Sequence, residues 1–203
     1  MFNLIKKDLI IQKTQIILFI PLIIFLILFA RDISPIFIFL VAGAYISANA
    51  YVYDGMVESN ILLNSLPYTR KLIVTSRYIG AMVYMVLSMA MAGAVLYLFD
   101  YSYDMMDMAI AAGLFFIFAA IAFPLFYILK PAYIGVVMFI GMIALAIGFQ
   151  PAARFLERNL ITITDFITSL STTMLYLSGA AIAIGLYLIS WIISQFIYQR
   201  KVF

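Results

Sequence analysis

The sequence predicts an all-α polytopic membrane protein: one transmembrane domain over residues 1–203, six spanning helices, and short helices on both membrane faces. Three observations predict it. Hydrophobic residues make up 67% of the 203 residues and charged ones 10%, more apolar surface than a soluble domain of this size can hide. Six apolar stretches come close to or reach the ~17–25 residues that a spanning helix needs. The basic residues between them favour one side of the membrane, nine against three.

The six stretches are 14–30, 36–53, 79–99, 108–129, 132–149 and 174–198. The first is short and contains Pro21, which a bundle tolerates when neighbouring helices satisfy the freed carbonyl. Pro124 is expected to kink the fourth. With the N-terminus in the cytoplasm, Lys6, Lys7, Lys13, Arg70, Lys71, Arg77, Lys130, Arg200 and Lys201 are inside. Only Arg31, Arg154 and Arg158 are then outside, so both termini are expected to face the cytoplasm. Asp100, Asp104 and Asp107 fall outside; Tyr101 and Tyr103 fit an outer aromatic belt, and Tyr127, Tyr133, Trp191 and Tyr198 an inner one.

Residues 1–13 place Phe2, Ile5 and Leu9 on one helical face beside Lys6, Lys7 and Lys13, the pattern of an interfacial elbow helix or of a charged topogenic leader. Leu28-Phe29-Ala30 is a poor cleavage site, which argues against a signal peptide.

Between the second and third spans, Glu58 suits the positive end of a short helix dipole, and Ile61, Leu62, Leu63 and Leu66 form its apolar side. Pro67 pushes Leu66 out of helical geometry and ends that helix, and Thr69 can cap the next one. A short cytoplasmic helix there is a lever that an outside partner can push. A solvated loop lying on headgroups fits the pattern as well.

The outer connection 150–173 carries Leu156, Leu160, Ile163, Ile167 and Leu170 at spacings of 4, 3, 4 and 3, a helical stripe. The β-branched run Ile161-Thr162-Ile163-Thr164 favours two short helices over one. With Phe155 they are placed to form a gate over the outer mouth, or an inert interfacial segment.

The missing chemistry is equally informative. The chain has no histidine and no cysteine, hence no disulfide, no thiol nucleophile and none of the commonest metal ligands. The expected spans contain essentially no ionisable side chain, which argues against proton-driven carriage and intramembrane proteolysis. Tyr45, Ser47, Asn49, Tyr51 and Tyr53 are the polar cluster of the second span, and Tyr45, Asn49 and Tyr53 are the candidates for lining a path. No G-x-x-x-x-G-K-[ST] loop is present, so energy for uphill movement has to come from another protein. The scattered lysines and arginines do not form a nucleic-acid patch. Ala90/Ala94, Ala144/Gly148 and Ala181/Gly185 offer close helix contacts.

Leu62-Leu63-Asn64-Ser65-Leu66-Pro67, followed by Tyr68-Thr69-Arg70-Lys71-Leu72-Ile73-Val74 and Arg77-Tyr78, resembles a family motif, L-L-x-S-L-P-[hydrophobic]-[ST]-R-K-x-[IV]-V. It is similar to that of the small six-span permeases of type-2 ATP-binding-cassette exporters of Gram-positive bacteria, in particular those that export phenol-soluble-modulin peptides. The opening Asn3-Leu4-Ile5-Lys6-Lys7-Asp8-Leu9 and the six-span layout extend the likeness over nearly the whole chain.

The resemblance implies a bacterial cell-membrane permease without its own catalytic site or cofactor, in a homodimer or with a paralogue. A separate ATPase would carry ATP and Mg. The coupling helix that docks on it would be Glu58, Asn60, Ile61, Leu62, Leu63, Asn64, Ser65, Leu66 and Pro67, with Arg70 and Lys71 beside it. Residues 151–172 would correspond to the outer gate helices. An apolar, aromatic-rich bundle suits an amphipathic peptide or lipid-like cargo admitted from the inner leaflet. Two other classes stay open: the substrate-binding membrane component of a vitamin importer, and a non-transporting assembly or immunity protein. The charged stretch after the second span favours the exporter, because a binding component needs no such lever.

Overall fold

The computed structural model describes residues 34–55, 69–130, 133–137, 139–141 and 171–200, with isolated positions between 7 and 27. Among these, every regular element is helical. Four long helices are α1 (Pro35–Gly55), α2 (Arg70–Leu98), α3 (Met105–Ile128) and α4 (Thr172–Arg200). All four are long and apolar enough to cross a membrane, and they occupy the second, third, fourth and sixth expected spans. Helical residues at 133–137 and 139–141 fall in the fifth, and several between 17 and 27 in the first. The short helix expected at 58–67 and the outer stripe at 155–170 lie outside the described residues.

α2 begins at Arg70, well before the apolar run at residue 79, because Thr69 caps it: the Thr69 Oγ1 accepts from the Leu72 N–H at 3.3 Å. Its 29 residues reach about 43 Å, against roughly 30 Å of hydrocarbon. The first turn, which carries Arg70 and Lys71, therefore extends to the level of the membrane interface.

Its other end closes with Asp100 in the left-handed region, φ 51°. The Tyr101 N–H reaches the Leu96 carbonyl at 3.0 Å and the Asp100 N–H the Tyr97 carbonyl at 3.3 Å, a Schellman closure that glycine usually serves. Asp100→Gly is expected to stabilise the protein by about 1 kcal/mol, read as a raised unfolding midpoint in detergent. An unchanged or lowered midpoint would contradict that account of the turn.

The pairings set the direction of each helix. Gly43 of α1 approaches both Met85 of α2 and Phe115 of α3, and the Phe39 ring meets Tyr103 just before α3. Tyr51, near the end of α1, meets Phe123 and Tyr127 near the end of α3, so α1 and α3 run parallel and α2 antiparallel to them. Phe116 meets Tyr187 and Tyr127 meets Tyr198, so α4 is parallel to α3. Lys130 and Ser171 thus lie at opposite ends of the bundle, the separation that an intervening fifth span would cover.

α1 is the most deeply buried of the four helices. Ala42, Ala44, Ala48 and Ala50 are buried on it, and at Gly43 a Cβ would come within 3.3 Å of Phe115, so small residues let α2 and α3 close around it. α4 buries only a stripe, Ala183, Tyr187, Ser190, Ser194 and Tyr198, and turns Leu188, Ile189, Ile192 and Phe196 outward.

Some expectations change. Ala90 and Ala94 face outward, and the small residues that α2 buries are Ser76, Gly80, Ala81, Ser88, Ala92 and Gly93. Tyr127 and Tyr198 are buried against each other rather than set in a belt on the lipid surface. Tyr103 turns inward, its hydroxyl donating to the Gly93 carbonyl at 3.1 Å. Edge-on ring contact and a carbonyl within reach on the neighbouring helix outweigh the interfacial preference of these tyrosines.

Candidate functional site

Over α2, α3, α4 and their described flanks, charge is fully segregated. Arg70, Lys71, Arg77, Lys130 and Arg200 lie at one end of the bundle, and Asp100, Asp104 and Asp107 at the other. The Asp107 carboxylate accepts from the Asp104 N–H at 3.0 Å and so holds the start of α3, where a negative charge suits the helix dipole.

At the basic end, the first turn of α2 presents Arg70 and Lys71 outward. Arg70 also reaches sideways: its guanidinium donates to the Gln199 carbonyl of α4 at 3.0 Å. A cation at a helix C-terminus offsets the negative end of that dipole. Of the expected lever, Arg70 and Lys71 are therefore placed; Glu58, Asn60, Ile61, Leu62, Leu63, Asn64, Ser65, Leu66 and Pro67 lie outside the described residues, as do Phe155, Leu156, Leu160, Ile163 and Ile167.

Tyr45, Asn49 and Tyr53 recur every four residues and so share one face of α1. That face is half-buried, with Val41 continuing it, while the rest of this stretch of α1 is buried apart from Val52. The Asn49 Nδ2 is shielded from solvent and has no hydrogen-bond partner among the described residues. An amide in a span without a partner is costly.

The sequence reading overlooked the polar core at the basic end. The Tyr78 hydroxyl lies 2.8 Å from the Ser190 hydroxyl and 2.7 Å from that of Ser194, and the Tyr187 hydroxyl donates to the Tyr78 carbonyl at 2.7 Å. Phe123 closes the cluster, edge-on to Tyr78 at 5.2 Å. Next to it Arg77 is only 4% exposed, within electrostatic reach of the Tyr127 and Tyr198 hydroxyls. Arg77 was expected outside the spans; it lies inside the bundle because α2 starts at Arg70 and carries it two turns in. The spacing of Tyr187, Ser190, Ser194 and Tyr198 on one face was a readable signal, but nothing in the sequence showed which helix that face met.

A bundle of helices this long and apolar defines a multi-pass membrane protein. The chain belongs to a transporter family: residues 3–199 match the model of the ABC-2 family transporter protein. No curated protein and no solved structure matches it. Members of this family are the membrane components of ATP-binding-cassette transporters, which implies a permease, generally without a catalytic site of its own, that works with an ATPase subunit.

Proposed function

We propose that this chain is the permease of an ATP-driven exporter whose cargo is an amphipathic peptide or another hydrophobic molecule. Membership of the ABC-2 family over residues 3–199 carries the reading. The basic end faces the cytoplasm, as the positive-inside rule requires, and both termini with it. There a separate ATPase, holding ATP and Mg, docks on the segment Glu58–Pro67 next to Arg70 and Lys71. The permease acts as a pair, of identical copies or with a paralogue, surrounded by membrane lipid.

The path runs along the half-buried face of α1, where Tyr45, Asn49 and Tyr53 give an otherwise apolar surface a few hydrogen-bonding groups. That combination suits a cargo with one greasy and one polar side. Arg77 does not alter the energy source, since a guanidinium does not release its proton and so cannot carry protons. At the far side the stripe Leu156, Leu160, Ile163 and Ile167, with Phe155, gates the exit.

The experiment is to purify the tagged chain from the cell membrane with its partners and reconstitute the complex in liposomes. A cassette ATPase is expected to co-purify, and amphipathic peptides are expected to raise its ATP hydrolysis. A hydrolysis rate that ignores such peptides and rises with a hydrophilic solute would refute the cargo assignment. Asn49→Leu is expected to reduce peptide stimulation several-fold with assembly intact, since it removes the amide from the path and leaves the helix apolar. Full stimulation in that variant would take the α1 face out of the path.

A further inference from the structure

Every other hydroxyl described inside the spans with an assigned hydrogen bond, tyrosines apart, bonds within its own helix. Ser47 donates to the Gly43 carbonyl, Thr75 to Lys71, Ser76 to Ile73, Ser88 to Met85 and Ser178 to Leu175. Ser190 and Ser194 depart from this habit: both reach across to Tyr78 of α2. Tyr187 returns the link through the Tyr78 carbonyl, and Arg70 adds another at Gln199, two helical turns nearer the basic end. These side-chain hydrogen bonds run in one line along the α2–α4 seam, from the first turn of α2 to its third.

We propose that Tyr78, Ser190, Ser194 and Tyr187 form a hydroxyl latch that makes α4 move as one body with α2. A push delivered at the start of α2 then reaches α4 directly. The inference rests on the reading that an ATPase pushes at that end, and it names the side chains that carry the push.

The latch suits the task physically. Tyr78 is 2% exposed, so its hydroxyl has no water to turn to, and it engages two serines at once, with one proton to donate and lone pairs to accept. Without the latch each serine can fall back on the carbonyl of its own helix, as the other span hydroxyls do. The stranded group would be the phenol, and in an apolar interior that is unfavourable. Engaged and released states are therefore discrete, and the engaged one is preferred. Phe123, packed on the rings of both Tyr78 and Tyr187, keeps the phenols aligned.

The chain has no cysteine, so spin labels on introduced cysteines report only where they are placed. Val86→Cys on α2 and Ile189→Cys on α4 are at exposed positions, 61% and 56%. In the reconstituted complex, with labelled chains diluted by unlabelled ones, the distance between these labels is expected to stay fixed when nucleotide binds. The distance between Val86→Cys labels on two copies is expected to change. In Tyr78→Phe, and in Ser190→Ala with Ser194→Ala, the within-chain distance is expected to become nucleotide-dependent. Transport per ATP hydrolysed should fall roughly tenfold, the factor that two interhelical bonds of ordinary membrane strength represent. Ser190→Thr, which keeps a hydroxyl, should retain the native pattern and shows that a loss is not simple misfolding. A native within-chain distance that already shifts with nucleotide, or latch variants that transport at the native ratio in an assembled complex, would overturn the latch alone. Failure of any ATPase to assemble would overturn the functional reading and the latch together.

Discussion

Replacing Leu62 and Leu63 by Asp is expected to leave the chain inserted in the membrane and to reduce ATPase capture to background. These leucines supply the apolar side of the segment between the second and third expected spans, where the exporter reading docks the ATPase. A carboxylate forced against an apolar docking groove, with no partner there, costs on the order of 2–3 kcal/mol, so two weaken binding by well over a hundredfold. Insertion is unaffected because the segment lies between spans and adds no charge to either. The check is co-purification of the ATPase with the tagged double variant, beside the amount of chain in the membrane fraction. Normal capture and full transport would remove Glu58–Pro67 from the interface. Charge reversal at Arg70 is a poorer probe, because its guanidinium also holds the Gln199 carbonyl and the charge contributes to topology.

Phe123→Ala should be the most destabilising single substitution in the described core, by roughly 3–5 kcal/mol. Its ring, 1% exposed, stands 4.8 Å from that of Tyr51, 5.2 Å from Tyr78 and 6.2 Å from Tyr187, and so joins α1, α2 and α4 to α3. In lipid the loss is one of packing contacts rather than of hydrophobic transfer, and an emptied site where four helices meet cannot close without moving them. The measurement is the unfolding midpoint in detergent, compared with Ile121→Ala on the same helix. Ile121 is 66% exposed, and its removal is expected to cost under about 0.5 kcal/mol. Equal losses at the two positions would show that Phe123 is not the junction.

Several features were legible because they depend on local chain properties. Apolar length marked where α1 to α4 run, and Thr69 before Arg70 marked a capped start, since a hydroxyl reaches the N–H two or three residues on without tertiary help. The separation of Arg70, Lys71, Lys130 and Arg200 from Asp100, Asp104 and Asp107 was also readable, because loop charge alternates with each crossing. The place of Arg77 was not. Window hydropathy ends a span at the first cluster of charge, whereas a helix goes on as far as its backbone bonds and neighbours allow.

The stretch after the second span shows how far the residues alone can reach. By itself the sequence determined a lipid-embedded helical protein with its basic residues gathered toward one side. Those conclusions follow from composition and from the cost of moving charge into hydrocarbon, which each residue carries wherever it sits. Only the tertiary structure decided that α4 runs parallel to α3, that Tyr103, Tyr127 and Tyr198 face inward, and that Ser190 and Ser194 meet Tyr78. A serine in a span has a partner available on its own helix, so its choice of one on another helix depends on which helix lies alongside and in what register. That is a property of the packed bundle, and no single segment encodes it.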